Sequence, residues 1–427
     1  MNNKLQSVRG THDHLPEDMY KYNNIITKAE KISALYGFKP MATPIFEFSN
    51  VFKKTLGESS DIVTKEMYTF KDKGDEEITL RPEGTAGIVR AIISNGLSQE
   101  MPFKSFYHGP MFRYERPQKG RLRQFHQVGV ECFGMAGPDI DAELLLISAR
   151  LWKLLGVQDV VRLELNSIGT VVDRGNYKQA LVEFLMPIKD QLDEDSKRRL
   201  GTNPLRILDS KNPDTQALLV NAPSMTDHLG AEARAHFTEL KTMLDEVGIT
   251  YTVNPRLVRG LDYYNYTVFE WVTDKLGAQG TVCAGGRYDG LVNQLGGGDT
   301  AGVGFAMGME RLCLLLQEVS SIEAQLDVTP DVYTVAVGEG VYNKALAITE
   351  TVRDELPAIS IKAHVGGGSF KSQMKKADKS GAQYALLMGE DEVAANKVTI
   401  KPLRSGGDQV QLNVSELAQW LQSKLSK

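Results

Sequence analysis

The sequence predicts an α+β protein: a larger strand-and-helix domain interrupted by a helical module, then a smaller α/β domain. Three observations carry this. Residues 104–115 and 122–134 are strand-like and bracket a short polar loop, the pattern of an antiparallel hairpin. Residues from about 165 to 250 turn charged and helical ("DQLDEDSKRRL", "AEARAHFTELKTMLDEVG"), with a Pro/Asn-rich break around 203–213. Beyond residue 330, the short strands "DVYTVAVGE", "ISIKAHV", "YALLMGEDE" and "KVTIKPL" alternate with helical segments. A chain of 427 residues also fits two or three cores better than one.

Along the chain, the spacing predicts a first helix with Met19, Tyr22, Ile26, Ala29, Ile32 and Leu35 on one stripe, stopped at Gly37. "KPMATPIFEF" is extended, because Pro40 and Pro44 disfavour helix before them. "EITLRPEGTAGIVRAIIS" is a short strand, then a helix starting near Glu83. After the hairpin, a helix runs from about Asp139 to Leu155, with Leu144, Ile147, Leu151 and Leu154 on one stripe and Gly156 as its stop. Strands return in "DYYNYTVFEWVTD", "GTVCAGG" and "TAGVGFAMG", the last leading into the helix "MERLCLLLQEV". "SSIEAQLDVTP" (320–330) has the character of a linker. The expected domains are therefore 1–325, with an insertion at about 170–250, and 326–427.

Composition excludes several classes. The chain is 42% hydrophobic and 24% charged, ordinary for a globular protein. No run approaches the ~18 apolar residues of a membrane span, and "MNNKLQSVRG" has no signal-peptide core. The three cysteines, Cys132, Cys283 and Cys313, are scattered, which suits a reducing cytoplasmic location and neither a disulfide framework nor a zinc site. His12, His14, His108 and His126 show no metal-ligand spacing, so the expected metal-ligand set is empty.

Within this acidic chain of net charge −5, residues 113–127 ("RYERPQKGRLRQFHQ") concentrate Arg113, Arg116, Arg121 and Arg123. Alternation puts Met111, Arg113 and Glu115 on one strand face and Phe125, Gln127, Gly129 and Glu131 on one face of the partner. A solvated sheet face is the plain reading. A ligand platform accounts for more: Phe125 to stack a planar base, Gly129 to admit close approach to the backbone, and guanidinium forks for phosphate oxygens. "GVGFAMGMERL" places Arg311 one turn into a helix whose N-terminus favours an anion, or simply in a surface ion pair. It does not have the dinucleotide-binding spacing. "GGGSFKS" is not a P-loop, since Phe370 precedes Lys371. Glu83 and Thr85 in "RPEGT" suit helix capping. In "LVRGLDYYNYTVFE", Arg259 precedes a strand with Tyr264, Tyr266 and Glu270 on one face.

These motifs together resemble the bacterial-type histidyl-tRNA synthetases, a family of class II aminoacyl-tRNA synthetases. "MATPIFE" resembles motif 1, with Pro44 at its centre; "FRYERPQKGRLRQFHQVGVECFG" resembles motif 2; "GVGFAMGMERL" resembles motif 3. "LVRGLDYYNYTVFE" and "AGGRYDGL" resemble the two histidine-specific signatures, and "RGTHDHLPED" resembles the family's N-terminus. The likeness spans nearly the whole chain in the right order.

The resemblance implies an antiparallel class II sheet flanked by helices, a helical insertion, and a C-terminal α/β anticodon-binding domain with Lys371, Lys375 and Lys376 as candidate RNA-facing cations. It implies a histidine–tRNA ligase that uses ATP and Mg2+, acts on L-histidine and tRNA(His), and is a cytoplasmic homodimer through motif 1, with no membrane association. By resemblance Arg113 binds the α-phosphate and the amino-acid carboxylate. Phe125 and Arg311 sandwich adenine, Arg121 reaches the terminal phosphates, and Glu115 joins the ATP site. Arg116 and Gln118 touch the tRNA acceptor stem. Glu83, Thr85 and Gln127 hold the α-amino and carboxylate ends of histidine. Glu131 and Tyr264 read the imidazole, with Tyr263 nearby, and Arg259 stabilises the transition state. The alternative is a catalytically inactive, synthetase-like regulatory subunit of histidine biosynthesis. Such proteins lack the C-terminal domain and lose active-site residues, whereas Arg113, Arg259 and Arg311 are present here. A class II synthetase for threonine or proline is disfavoured by "LVRGLDYYNYTVFE".

Overall fold

The computed structural model describes residues 5–57, 60–210, 212–277, 280–319 and 329–425. The chain divides into two compact units, Met1–Gln325 and Leu326–Lys427. Most of the linker expected at 320–330 lies outside the described residues.

The larger unit begins with helix α1 (Pro16–Leu35), entered through a proline and two acidic residues that suit a helix N-terminus. The short strand β1 (Lys39–Pro40) follows, then β2 (Phe46–Phe48), α2 (Ser49–Leu56), β3 (Tyr68–Lys71), β4 (Glu77–Leu80) and α3 (Thr85–Ser94). The hairpin β5 (Phe103–Phe112) and β6 (Gln124–Phe133) leads to α4 (Pro138–Leu155). Gly156 ends α4 in the left-handed conformation that glycine adopts freely. After β7 (Arg162–Ser167) comes a helical stretch, α5 (Val171–Leu185), α6 (Glu194–Thr202), α7 (Pro213–Leu218) and α8 (Ala231–Glu246), with its own apolar core around Tyr177, Leu181, Ile207 and Leu219. The strands β8 (Tyr251–Val253), β9 (Asn265–Val272) and β10 (Thr281–Arg287), helix α9 (Leu291–Gln294), strand β11 (Gly302–Gly308) and helix α10 (Met309–Glu318) complete the unit.

Among the described residues, eight strands form one sheet in the order β1-β5-β6-β11-β10-β9-β7-β8. Its six central strands are antiparallel, and only the short edge strands β1 and β8 pair in parallel. A separate three-stranded sheet has the order β2-β4-β3. The smaller unit contains β12 (Val332–Ala336), α11 (Val341–Glu355), β13 (Ile361–Ala363), α12 (Phe370–Lys379), β14 (Tyr384–Met388), α13 (Glu390–Ala394), β15 (Lys397–Pro402), β16 (Val410–Asn413) and α14 (Leu417–Lys424). Its sheet order is β13-β12-β14-β15-β16, parallel through β14 and antiparallel beyond. The stretch "GGGSFKS" forms a left-handed glycine turn and a helix cap, where Ser369 Oγ accepts from the Ser372 amide at 3.4 Å.

Several elements differ from the sequence reading. In α1 the buried line is Tyr22, Ile25, Ala29 and Ile32, while Met19 and Leu35 are exposed. Only the middle turns of α1 are covered by the neighbouring elements. In α4 the line is Ile140, Leu144, Ile147 and Leu151, and Leu154 faces out. Strand β16 was not expected, because "VQLN" is short and follows a glycine turn. Strand β5 ends at Phe112, so Arg113 and Glu115 leave the sheet and belong to the loop.

A wholly buried ion pair ties the sheet to its helices. Arg287 at the end of β10 donates to Asp141 of α4, with Nη2 2.5 Å from Oδ1, and also to the carbonyls of Met135 and Gly137. His236 of α8 lies 2.9 Å from the other Asp141 oxygen. Burial opposes ionising Asp141, yet His236 and Arg287 hold its pKa below the ordinary value. Asp141→Ala would leave the Arg287 charge short of its main partner in a dry interior. It is expected to cost about 3–5 kcal/mol, read as a lower urea midpoint for the larger unit. A loss under about 1 kcal/mol would show that Asp289, 3.2 Å from Arg287, suffices alone.

Candidate active site

Register creates the site. On the face of β6 that carries Phe125, Gln127, Gly129 and Glu131, the opposite residues on β11 are Gly308 across from Gln127, Ala306 across from Gly129 and Gly304 across from Glu131. On the other side, β5 places Gly109 opposite Gln127 and Tyr107 opposite Gly129. Small residues therefore clear a hollow in the sheet. The resulting cleft of about 300 Å³ is within the range of small-molecule sites.

The floor is a buried carboxylate. Glu131 is 1% exposed. Its Oε1 accepts from the Thr85 hydroxyl at 2.6 Å and the Tyr107 hydroxyl at 3.1 Å, and its Oε2 accepts from the Tyr288 hydroxyl. Burial pushes its pKa up to about 8, against the three hydroxyls, which favour the ionised form. Glu83 lies at the start of α3, where its two oxygens accept from the amides of Thr85 and Ala86, each at 2.8 Å. Burial raises its pKa as well.

The cations are each anchored. Arg113 Nε donates to the Pro82 carbonyl at 2.8 Å, and its guanidinium carbon is 5.2 Å from the centre of the Phe125 ring. Arg121 pairs with Glu115. Arg259 pairs with Glu270 and lies over Tyr264, 5.5 Å from the ring centre. Arg311 donates to the carbonyls of Thr281, at 2.9 Å, and Gly120. Three buried polar atoms of the cleft have no hydrogen-bond partner among the described residues. Glu115 Oε2 has an ion pair with Arg121, which leaves one pair, the acceptor Gln127 Oε1 and the donor Arg259 Nε. Such atoms are costly unless something completes them. The pair calls for a ligand with a donor at one end and an acceptor, best an anion, at the other.

Glu83, Thr85, Arg113, Glu115, Arg121, Phe125, Gln127, Arg259, Tyr263, Tyr264 and Arg311 all line this cleft. Glu131 lies behind the lining, and a Cβ on Gly304 would overlap its carboxylate. Arg116 and Gln118 are exposed at the hairpin tip, where Gln118 and Arg121 exchange backbone hydrogen bonds of 3.0 and 2.9 Å. Two readings are corrected. Gly129 does not admit a ligand to the backbone; the Tyr107 ring occupies that space. Tyr266 does not share a face with Tyr264, because it takes φ 45° and turns its hydroxyl to Glu232 of α8.

Sequence reasoning passed over Tyr107, Tyr288 and Thr281. Tyr107 was findable, since a large residue opposite a glycine in a hairpin marks a packed cross-strand pair. Tyr288 and Thr281 act through contacts that no spacing encodes: the Tyr288 hydroxyl meets Glu131, and Thr281 bonds Glu270 through its hydroxyl and Arg311 through its carbonyl. The fold also brings together His14, His126 and Glu310, which no spacing suggested.

Comparison with known proteins adds independent findings. Residues 10–312 match the family model described as histidyl-tRNA synthetase, and residues 331–424 match the model described as anticodon binding domain. The chain is similar to the crystal structure of apo histidyl-tRNA synthetase from S. aureus, with 35% identity and a TM-score of 0.81 over 98% of this chain and 99% of that one. A histidyl-tRNA synthetase from Nostoc sp. PCC 7120 has the same fold at 20% identity, with a TM-score of 0.71 over 99% and 100% of the two chains. So does an ATP phosphoribosyltransferase regulatory subunit/histidyl-tRNA synthetase from Bacillus halodurans, also at 20% identity, with a TM-score of 0.62 over 90% of this chain and 98% of that one.

A Cβ added at Gly129 would stand 2.5 Å from the Tyr107 phenol oxygen and overlap the ring. Gly129→Ala is expected to destabilise the protein by about 1–3 kcal/mol, measured by urea unfolding, and to shift Tyr107 off Glu131. Wild-type stability would mean that the ring has another place to go.

Proposed function

From the premise that this chain belongs to the histidyl-tRNA synthetase family, we propose that its cleft activates L-histidine with ATP to histidyl-adenylate and pyrophosphate and then passes histidine to the 3′ end of tRNA(His). The observation that carries the reading is the pairing of an unpartnered acceptor, Gln127 Oε1, with an unpartnered cationic donor, Arg259 Nε, in one cleft. An aminoacyl-adenylate supplies both: its ammonium is the donor that Gln127 lacks, and its α-phosphate, joined to the amino-acid carboxylate, is the acceptor that Arg259 lacks. Retention of Arg113, Arg259 and Arg311 in the cleft supports a catalyst over an inactive regulatory subunit.

In this reading Glu83, Thr85 and Gln127 hold the amino-acid backbone, and Glu131 and Tyr264 face the imidazole with Tyr263 beside them. The buried polar floor discriminates by polarity. A site built to hydrogen-bond two ring nitrogens leaves buried polar groups unpaired when an apolar side chain enters, the kind of mismatch worth roughly 10⁴–10⁵ in selectivity. Adenine lies against Phe125 and Arg311, Arg113 and Arg259 meet the α-phosphate, Arg121 reaches the outer phosphates, and Glu115 joins the ATP site. The carboxylate of histidine is itself the nucleophile, so the protein supplies positioning and charge rather than a base. Glu66 and Glu115 line one recess beside the cleft, and burial followed by the charge of Glu115 raises the Glu66 pKa. Carboxylates of this kind suit Mg2+, which keeps few protein ligands and binds largely through phosphates. The ion, when bound, would neutralise the leaving pyrophosphate. Arg116 and Gln118 at the exposed tip face the tRNA acceptor stem, and Lys371, Lys375 and Lys376 on the exposed side of α12 face the anticodon arm.

A homodimer would cover the apolar face of the three-stranded sheet. There Phe46, Phe48 and Phe70 are exposed by 57%, 57% and 48%, and Phe48 and Phe70 flank Ile78 in register. Exposed apolar surface of this kind marks an interface.

The deciding experiment is exchange of labelled pyrophosphate into ATP. Exchange should require L-histidine; equal exchange with another standard amino acid would sink the reading. In the same assay Arg259→Ala should fall ~10²–10³-fold in rate with little change in KM for histidine, and a wild-type rate would remove Arg259 from the transition state. Sedimentation should give twice the chain mass, dropping to one chain mass in Phe46→Glu/Phe48→Glu. A wild-type monomer at every concentration would rule the dimer out.

A further inference from the structure

On the side of β6 away from the Glu131 floor, the fold gathers groups from three distant parts of the sequence. His14 comes from the coil before α1, His126 from β6 and Glu310 from the first turn of α10. One ligand atom from each lies within 4.8 Å of the other two. We propose that His14, His126 and Glu310 form a binding site for a single divalent transition-metal ion of the zinc class.

The argument rests on geometry and donor chemistry. The imidazole centres of His14 and His126 are 5.2 Å apart and their planes meet at 80°. Two imidazoles on one tetrahedral zinc, with Zn–N of about 2.0–2.1 Å, hold their ring centres roughly 5 Å apart. His126 Nδ1 is 3.0 Å from Glu310 Oε1. Two ligand atoms on the same ion stand roughly 3.3 Å apart, so exchanging the shared proton for the ion moves this one pair by only a few tenths of an ångström. The carboxylate is also oriented from outside the ligand set. Its two oxygens accept from the His126 amide at 2.9 and 3.1 Å. Outer partners of this kind fix ligand direction in metal sites. Tyr22 packs on both rings, with centres 4.7 and 5.4 Å away, and closes one side. Two imidazoles and one carboxylate suit zinc, cobalt or nickel better than magnesium, which prefers oxygen ligands alone.

The location gives the ion a structural role. His126 sits between Phe125 and Gln127, and Glu310 precedes Arg311. An ion held here would fasten β6 to the start of α10 and to the segment before α1, fixing the spacing of the two elements that carry Phe125 and Arg311.

The test uses untagged full-length protein, stripped with chelator and titrated with Zn2+ alone by calorimetry and with Co2+ alone by visible absorption. Wild type is expected to bind one tight equivalent of Zn2+ per chain and to give Co2+ bands of low-symmetry coordination. His14→Ala and His126→Ala should each weaken that equivalent by at least about tenfold and abolish the Co2+ bands. Absence of a stoichiometric equivalent in wild type, or its persistence in both variants, overturns the proposal. If His126→Ala fails to fold, His14→Ala decides alone, because His14 lies in coil outside the sheet. The rings and Tyr22 would then be only a packed aromatic cluster braced by the His126–Glu310 hydrogen bond.

Discussion

The interaction on which the rest of the site depends is the burial of the Glu131 carboxylate beneath three hydroxyls. Thr85 reaches it from α3, Tyr107 from β5 and Tyr288 from the turn after β10. These elements are far apart in sequence, and each must be in place before the carboxylate is satisfied. A carboxylate left bare there would be expensive, so the bonding requirement makes the sheet register and the placement of α3 mutually dependent. Gly129 and Gly304 complete the device by negative means, clearing space for the Tyr107 ring and the carboxylate.

Above that floor, charge is local and fixed. The chain is acidic overall, yet Arg113, Arg121, Arg259 and Arg311 converge on one cleft, each already oriented by a carbonyl or a carboxylate. Donors that need not reorganise are what a step with charge building on an α-phosphate demands. The anchors also limit the mutual repulsion of four guanidinium groups, since Glu115 and Glu270 sit among them. Net charge therefore hides this local concentration, whereas the grouping of charges along residues 113–127 announces it.

Much of this was legible in the sequence where one local rule decided the outcome. Alternation placed Phe125, Gln127 and Glu131 on one face, because strand periodicity is strict and the face could be read without knowing what covered it. The alternating strands and helices after residue 330 gave the smaller unit's class for the same reason. Local rules failed where a distant neighbour decided. Gly129 looked like space for a ligand, and Tyr107, twenty-two residues earlier, fills it. Arg113 looked like a strand residue, but the strand stops at Phe112 and the arginine is held by the Pro82 carbonyl instead. Tyr266 broke the alternation with a positive φ that its residue type does not announce. The His14, His126 and Glu310 group spans nearly three hundred residues, and no spacing rule reaches that far.

The helical insertion is better understood as a wall of the site than as an appendage. Arg174 of α5 donates to the carbonyls of Asp262 and Tyr264, pinning the turn that presents Tyr263 and Tyr264 to the cleft. Arg199 and Arg206 approach Asp61 at 3.5 and 3.6 Å and line the recess that also holds Arg113, Arg121 and Arg259. His236 reaches from α8 to the buried Asp141–Arg287 pair at the base of β10. One interruption of the larger unit thus touches the side, the mouth and the foundation of the cleft. Partly exposed pairs such as Asp61 with Arg199 are individually weak, so the wall's position is set mainly by the buried Asp141 node and by the packing of α8 on α4. Charge at the mouth can then rearrange without disturbing the fold, because the architecture does not depend on it.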